Sequence, residues 1–213
     1  MKLAGLRAEV VDVLRRLEAG ALVTGTSGNV SARDPQTGLI AVSPTSIPYD
    51  RLRPEDVAVV HPEGEVLEGG TPSVELPMHL TIHSGRPEAA AIVHTHSPHA
   101  TGLGLVLDEI PVVLAEQAAA VGGAVPVVPY APTGECAMGE AVLAAGDVWA
   151  VIVRNHGPVC LGRSLGEAER CAFAVEEAAR AYALARAHGE PALLPEAELE
   201  RLSRLRLRPR ARG

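Results

Sequence analysis

The chain has 213 residues, 47% of them apolar, and a formal net charge of −7, which is enough length for a real core and sets the expectation of a single domain over residues 1–213. No apolar run approaches the roughly eighteen residues of a membrane span, and the N-terminus lacks a charged start, apolar block and small-residue cleavage site, so a soluble, cytoplasmic protein with no membrane partner is expected. Six arginines and no acid fall within about 201–213; the rest is therefore more acidic than the total, which argues against a nucleic-acid partner and makes the Arg-rich C-terminal tail a solvated or subunit-docking end.

In residues 2–19, Leu3, Leu6, Val10, Val13, Leu14 and Leu17 recur at spacings of three and four before Gly20, which predicts an amphipathic helix with a glycine stop. The stretch Thr24-Gly25-Thr26-Ser27-Gly28-Asn29-Val30-Ser31 reads as a small, hydroxyl-rich loop. It is either an ordinary turn or a cradle whose backbone N–H groups approach an anion. Short strands are predicted at 39–42 and 57–60, separated by a second hydroxyl-bearing loop, Ser43-Pro44-Thr45-Ser46. Gly64, Gly69 and Gly70 mark turns. Ser73 is placed to cap a helix over about 74–83, with Glu75 in its first turn, where the helix dipole favours a carboxylate.

A strand follows at 89–95, then a helix at about 98–107, a strand at 110–114, a small-residue segment at 115–123 and a strand at 125–128. Thr133 is placed to cap a helix to about 145. The apolar strand 148–153 ends at Arg154-Asn155-His156-Gly157, and 159–161 continues as a strand. Ser164-Leu165-Gly166-Glu167 reads as a capping box opening a long helix to about 187. One more helix is expected from about Pro195. Strands alternating with helices suggest, on pattern alone, a parallel sheet.

The motif with chemistry in it is His94-Thr95-His96 at the end of an apolar, β-branched run. On a strand the two imidazoles would share a face and could hold one metal ion through neutral ring nitrogens. His156 and Glu75 are the candidate further ligands. His79 and His83 are four apart on a helix, a spacing that also suits a metal, but no HExxH motif surrounds them and they read as polar-face or structural residues. Cys136, Cys160 and Cys171 are an odd number without CxxC spacing, which argues against both a disulfide framework and a thiolate zinc site and reads as buried small apolar residues. Asparagine occurs only at Asn29 and Asn155, both in candidate motifs, and with 17 prolines this leans towards a heat-stable protein.

Taken in order, Thr26-Ser27-Gly28-Asn29, Ser43-Pro44-Thr45-Ser46, Pro72-Ser73-Val74-Glu75, His94-Thr95-His96-Ser97 and Asn155-His156-Gly157 resemble the class II aldolase and adducin-head family, and within it the zinc-dependent L-fuculose-1-phosphate aldolases. The resemblance covers about residues 3–188. It implies a three-layer αβα fold whose central sheet is largely antiparallel, and a homotetramer with active sites at subunit interfaces. By position it implies one zinc ion (Zn2+) per subunit on His94, His96 and His156. Glu75 would bind the metal when substrate is absent and then act as the base. Gly28, Asn29, Thr45, Ser46 and Ser73 would hold the phosphate of a small phosphorylated sugar.

The chain departs from the aldolase pattern after the histidine pair, where those enzymes carry a tyrosine; no tyrosine lies between Tyr49 and Tyr130. Glu116 or Gln117 stands near that place. The related methylthioribulose-1-phosphate dehydratases use a glutamate in a comparable segment, so Glu116 is a candidate acid/base and a dehydratase is an alternative to the aldolase. The pentulose 5-phosphate 4-epimerases and a metal-free binding module like the adducin head are further alternatives on the same fold.

Overall fold

Alternation along the strands decides which helices cover which face. A computed structural model describes residues 1–207 as α1 (Ala4–Ala19), β1 (Asn29–Arg33), β2 (Ile40–Val42), β3 (Ala58–Val60), β4 (Val66–Glu68), α2 (Leu76–Gly85), β5 (Ala91–His94), α3 (Pro98–Gly104), β6 (Glu109–Ile110), α4 (Ala115–Ala120), β7 (Val125–Val128), α5 (Ala137–Ala144), β8 (Ala150–Val153), β9 (Gly157–Gly162), α6 (Leu165–Arg186) and α7 (Glu196–Leu207). The last six residues of the Arg-rich tail lie outside the described residues.

Among the described residues the strands form one sheet in the order β4-β3-β2-β1-β5-β9-β8-β7-β6. Every neighbouring pair is antiparallel except β7 with β8. The parallel sheet that the strand–helix alternation suggested is therefore corrected. Short hairpins and helices that return to the same edge join antiparallel neighbours, and alternation of elements does not distinguish these from βαβ crossovers.

Val30 of β1, Ala91 and Val93 of β5, Ile152 of β8 and Cys160 of β9 pack with Val10 and Leu14 of α1, Ala100 of α3 and Val175 of α6. Their neighbours Ile92, Val151, Val153, Val159 and Leu161 point to the other face, against Met78 and Ile82 of α2 and Met138 and Val142 of α5. Helices thus flank both faces in three layers. A fully buried position such as Ile92 contributes about 2–5 kcal/mol, the usual cost of truncating such a side chain to Ala. The long α6 begins as the sequence predicts, Ser164 Oγ accepting from the Glu167 N–H at 3.3 Å. Among the described residues, no helix is long and apolar enough to cross a membrane.

The alternation also sorts the polar residues. With Val93 on the first face, His94 falls on the α2 side, and with Val30 and Ala32 on the first face, Asn29 and Ser31 do too. The register pairs Asn29 with His94 and Ser31 with Ile92, so Asn29 sits beside the histidine motif. Several local expectations are corrected. Residues 29–31 are strand, because they pair with both β2 and β5. The glycine-rich turns at 64–70 enclose β4, paired with β3. The α5 N-cap is Cys136, an exposed residue, and not Thr133. Arg7, on a helix read as polar between its leucines, is buried and donates to Pro54 O and Glu55 O at 2.7 Å each and to Glu68.

Candidate metal centre and pocket

Three chain segments deliver three imidazoles to one point. His94 is the last residue of β5. His96 lies two residues beyond the strand end, in the segment leading to α3, and its ring meets that of His94 with centroids 5.0 Å apart. His156 sits in the three-residue turn between β8 and β9, where Asn155 takes φ 60°, a left-handed conformation that asparagine tolerates better than most residues. Gly157 makes the approach possible: a Cβ there would lie 2.2 Å from Thr95 O and 3.3 Å from His96 Cα. The turn can therefore rest directly on the His94–His96 backbone.

The Nε2 atoms of His96 and His156 lie 3.1 Å and 3.3 Å from His94 Nε2. Glu75 spans the group, with Oε2 3.3 Å from His94 Nε2 and Oε1 3.2 Å from His156 Nε2. His94 Nδ1 lies 2.9 Å from Pro158 O, an acceptor, so Nδ1 carries the hydrogen and Nε2 keeps its lone pair. Burial pushes His94 down to about 4, against the pull of Glu75, and burial followed by the neighbouring His156 lowers His96. Neutral imidazoles whose nitrogens converge at this spacing repel one another unless a cation lies between them. An ion bonded at about 2.0–2.1 Å in tetrahedral geometry would separate its ligands by about 3.3 Å, which matches the observed contacts. The donor set therefore fits a divalent metal.

Glu75 is the N-cap residue of α2 rather than a member of its first turn, and Ser73 accepts from the Glu75 N–H at 3.2 Å instead of capping the helix directly. Burial would raise the Glu75 carboxyl, but the His156 hydrogen bond, the His94 imidazole and an N–H from Asn29 at 2.7 Å outweigh it, holding the carboxyl well below the usual carboxylate range. Glu75 is ionised.

A cavity of about 210 Å³ opens from this group, lined by Gly28, Asn29, Thr45, Ser73, Glu75, His96 and His156, with Thr26, Ser27, Pro44, Val74 and Thr133. No lysine or arginine is among these described lining residues. Gly28, at φ +80°, lies so close to the strand end that a Cβ would be 2.7 Å from His94 O. Tyr49, buried, donates to Ser27 O at 2.7 Å and Gly28 O at 3.0 Å and pins the loop over the site.

Ser46 is not part of the lining; its hydroxyl contacts that of Thr45 at 3.2 Å. Glu116 is not brought to the histidines within one chain. It borders a separate cavity of about 730 Å³ with Phe173, Arg170 and Glu177 of α6. Sequence reasoning missed Tyr49 and Thr133 as site residues. It also missed what His79 does: His79 Nε2 contacts Asn29 Oδ1 at 2.5 Å, and the only trace of this in the sequence is the four-residue spacing from Glu75 to His79 on α2.

The nine-stranded sheet, its two helical layers and the three-histidine centre define a class of protein. The chain belongs to the class II aldolase and adducin N-terminal domain family, whose pattern matches residues 8–183, and it is a metal-dependent aldolase-type enzyme of that class. It is 36% identical over 200 residues to the 5-deoxy-D-ribulose 1-phosphate aldolase of Bacillus thuringiensis serovar kurstaki, covering 93% of each chain. It is 33% identical over 178 residues to the L-fuculose phosphate aldolase of Escherichia coli K12, covering 83% of this chain and 82% of that one. A solved L-fuculose 1-phosphate aldolase has the same fold with a TM-score of 0.89 and 30% identity, over 96% of this chain and 97% of that one.

Proposed function

We propose that this chain is a zinc-dependent aldolase that reversibly cleaves a ketose 1-phosphate, such as L-fuculose 1-phosphate, into dihydroxyacetone phosphate and an aldehyde such as lactaldehyde. The observation that carries the reading is the ionised Glu75 carboxylate, 3.2–3.3 Å from two of three convergent imidazoles and open to a cavity. A ligand set of this kind gives up its carboxylate to substrate more readily than a closed structural site does. The name of the Bacillus relative supplies 5-deoxy-D-ribulose 1-phosphate as the second candidate ketose.

His94, His96 and His156 would hold the zinc. When bound, zinc supplies Lewis-acid polarisation of the substrate carbonyl and a positive centre for the enediolate charge. Glu75 removes a proton from the carbon next to that carbonyl in the synthetic direction and returns it in the cleavage direction. Hydroxyl, amide and backbone donors of Gly28, Asn29, Thr45 and Ser73, which line the cavity, hold the phosphate. The whole chain acts as one domain, assembled as a homotetramer with sites at subunit interfaces. Because Glu116 lies outside the pocket of its own chain, any proton it gives the aldehyde oxygen goes to a neighbour's site.

The test is proton–deuterium exchange of dihydroxyacetone phosphate in heavy water, followed by NMR, with zinc-loaded and chelator-treated protein. Exchange that needs the metal supports the reading and leads to cleavage assays with the two ketose phosphates. Absence of exchange from protein with zinc bound would overturn it, and would turn attention to epimerase and dehydratase substrates.

A further inference from the structure

A line of buried polar side chains runs from Glu75 into the space between β1 and α2, and metal binding does not account for it. Asn29 Nδ2 donates to Glu75 Oε2 at 2.7 Å, and Asn29 Oδ1 lies 2.5 Å from His79 Nε2. His79 Nδ1 lies 2.7 Å from Ser31 Oγ, which lies 2.9 Å from His83 Nε2. His79 and Ser31 are 0% exposed, His83 2% and Asn29 5%. Four polar residues in so dry a place are costly unless each contact is made with the right polarity.

That polarity follows from the acceptors. An ionised carboxylate only accepts, so Asn29 presents its NH2 group to Glu75 and its carbonyl oxygen to His79. The carbonyl also only accepts, so His79 Nε2 carries a hydrogen. Neutral His79 then has a bare Nδ1, which takes the Ser31 hydroxyl hydrogen, and the Ser31 oxygen accepts from His83 Nε2. Each hydrogen points towards Glu75. The mismatch in this arrangement falls at the far end: with its hydrogen on Nε2, neutral His83 has a bare Nδ1 facing Ala89 O at 3.1 Å, a carbonyl that only accepts.

The Asn29 carboxamide has two N–H groups, only one of which is used on Glu75, and Asn29 also lines the cavity. Turned over, the same amide would face its oxygen to the carboxylate and to any anion in the cavity. His79 opposes that state, because it would set two N–H donors head to head. We propose that His79, backed by Ser31 and His83, is a positioning residue that fixes the polarity of Asn29. One amide N–H then steadies Glu75 and the other is offered to the substrate phosphate. The inference rests on the aldolase reading for its catalytic consequence, but the anion-binding half stands without it.

The experiment compares zinc-loaded wild type with His79→Leu, His79→Gln and Ser31→Ala. Zinc content, the rate and saturation of dihydroxyacetone phosphate exchange, and binding of inorganic phosphate by calorimetry are measured for each. In His79→Leu zinc is retained, while exchange falls by about 10–100-fold, the range found for residues that orient ligands from behind, and phosphate binding weakens with it. His79→Gln, whose side-chain N–H can occupy the place of Nε2–H, restores both to within several-fold. Ser31→Ala, which frees the His79 tautomer without emptying the site, shows the same two losses in smaller measure, and carries the test should His79→Leu not fold. Wild-type exchange and phosphate binding in either His79→Leu or Ser31→Ala would overturn the proposal, as would a Gln variant as impaired as the Leu variant. If wild type itself fails to exchange, the aldolase reading falls, and the phosphate arm still decides the role of His79.

Discussion

Two pairs of histidines with metal-compatible spacing lie on the same face of the sheet, and they have opposite fates. His94 and His96 turn their Nε2 atoms towards each other and His94 towards His156, and His96 and His156 line a cavity. His79 and His83 aim theirs at Asn29 and Ser31, and both are buried. The difference lies in what surrounds each ring. Around His94, one nitrogen is fixed by a backbone carbonyl and the other has no hydrogen-bonding partner except more imidazole and a carboxylate. Around His79, both nitrogens are satisfied by neutral groups. A metal is called for where lone pairs converge, not where the spacing permits it.

The comparison can be broken most severely at His94. His94→Ala is expected to lose tight zinc binding and at least about 10³-fold of the exchange activity, since a three-nitrogen site loses its buried member; a folded variant with full zinc by atomic spectroscopy would refute the assignment. Glu75→Gln keeps most of the zinc on the imidazoles and lowers exchange by about 10²–10⁴-fold, the usual contribution of a positioned base. Gly157→Ala is next: the added methyl meets Thr95 O, and either the turn or the histidine backbone must shift, so zinc affinity is expected to fall by about 10–100-fold in a metal-competition titration.

The second pair is tested by pH. Burial holds His79 and His83 down to about 3 and about 4, with His83 lowering His79 and Arg33 lowering His83. In the unfolded chain both take up protons below about pH 6.5, while in the folded protein they stay neutral. The stability is thus complete above about pH 6.5 and declines as the pH falls towards 4, by up to about 1.4 kcal/mol per unit for each group. Urea midpoints of zinc-loaded protein at pH 7 and pH 5 check this, with His83→Gln expected to show a shallower fall. The smallest effect is expected at Glu116→Ala. Within the chain it lies in another cavity, so exchange of dihydroxyacetone phosphate should stay within about threefold, even if a step that needs an acid from a neighbouring subunit slows.

Much of this was legible in the residues and some was not. The helix over α1, the long α6 and the strands around Ile92 and Ile152 show their period directly, because packing against a single face imposes it. The order of the strands does not, since pairing depends on which hairpins close, and nothing in the sequence distinguishes β1 from a loop until β2 and β5 are beside it. In the site, His94, His96, His156 and Glu75 could be named because ligand chemistry restricts residue type. Tyr49 and His79 could not. Their parts depend on what a hydroxyl or an imidazole touches across about twenty to fifty positions of chain, a relation that only the folded register supplies.

The absence of lysine and arginine from the described cavity lining has a kinetic consequence. Before a divalent cation arrives, the one formal charge facing the cavity is that of Glu75, and a phosphate ester approaching it meets a field of its own sign. A divalent cation held by His94, His96 and His156 would reverse that sign, so a phosphate ester would be drawn to the loaded site and repelled from the empty one. A chelator should therefore strip the resting enzyme faster than the enzyme held at saturating phosphate ester.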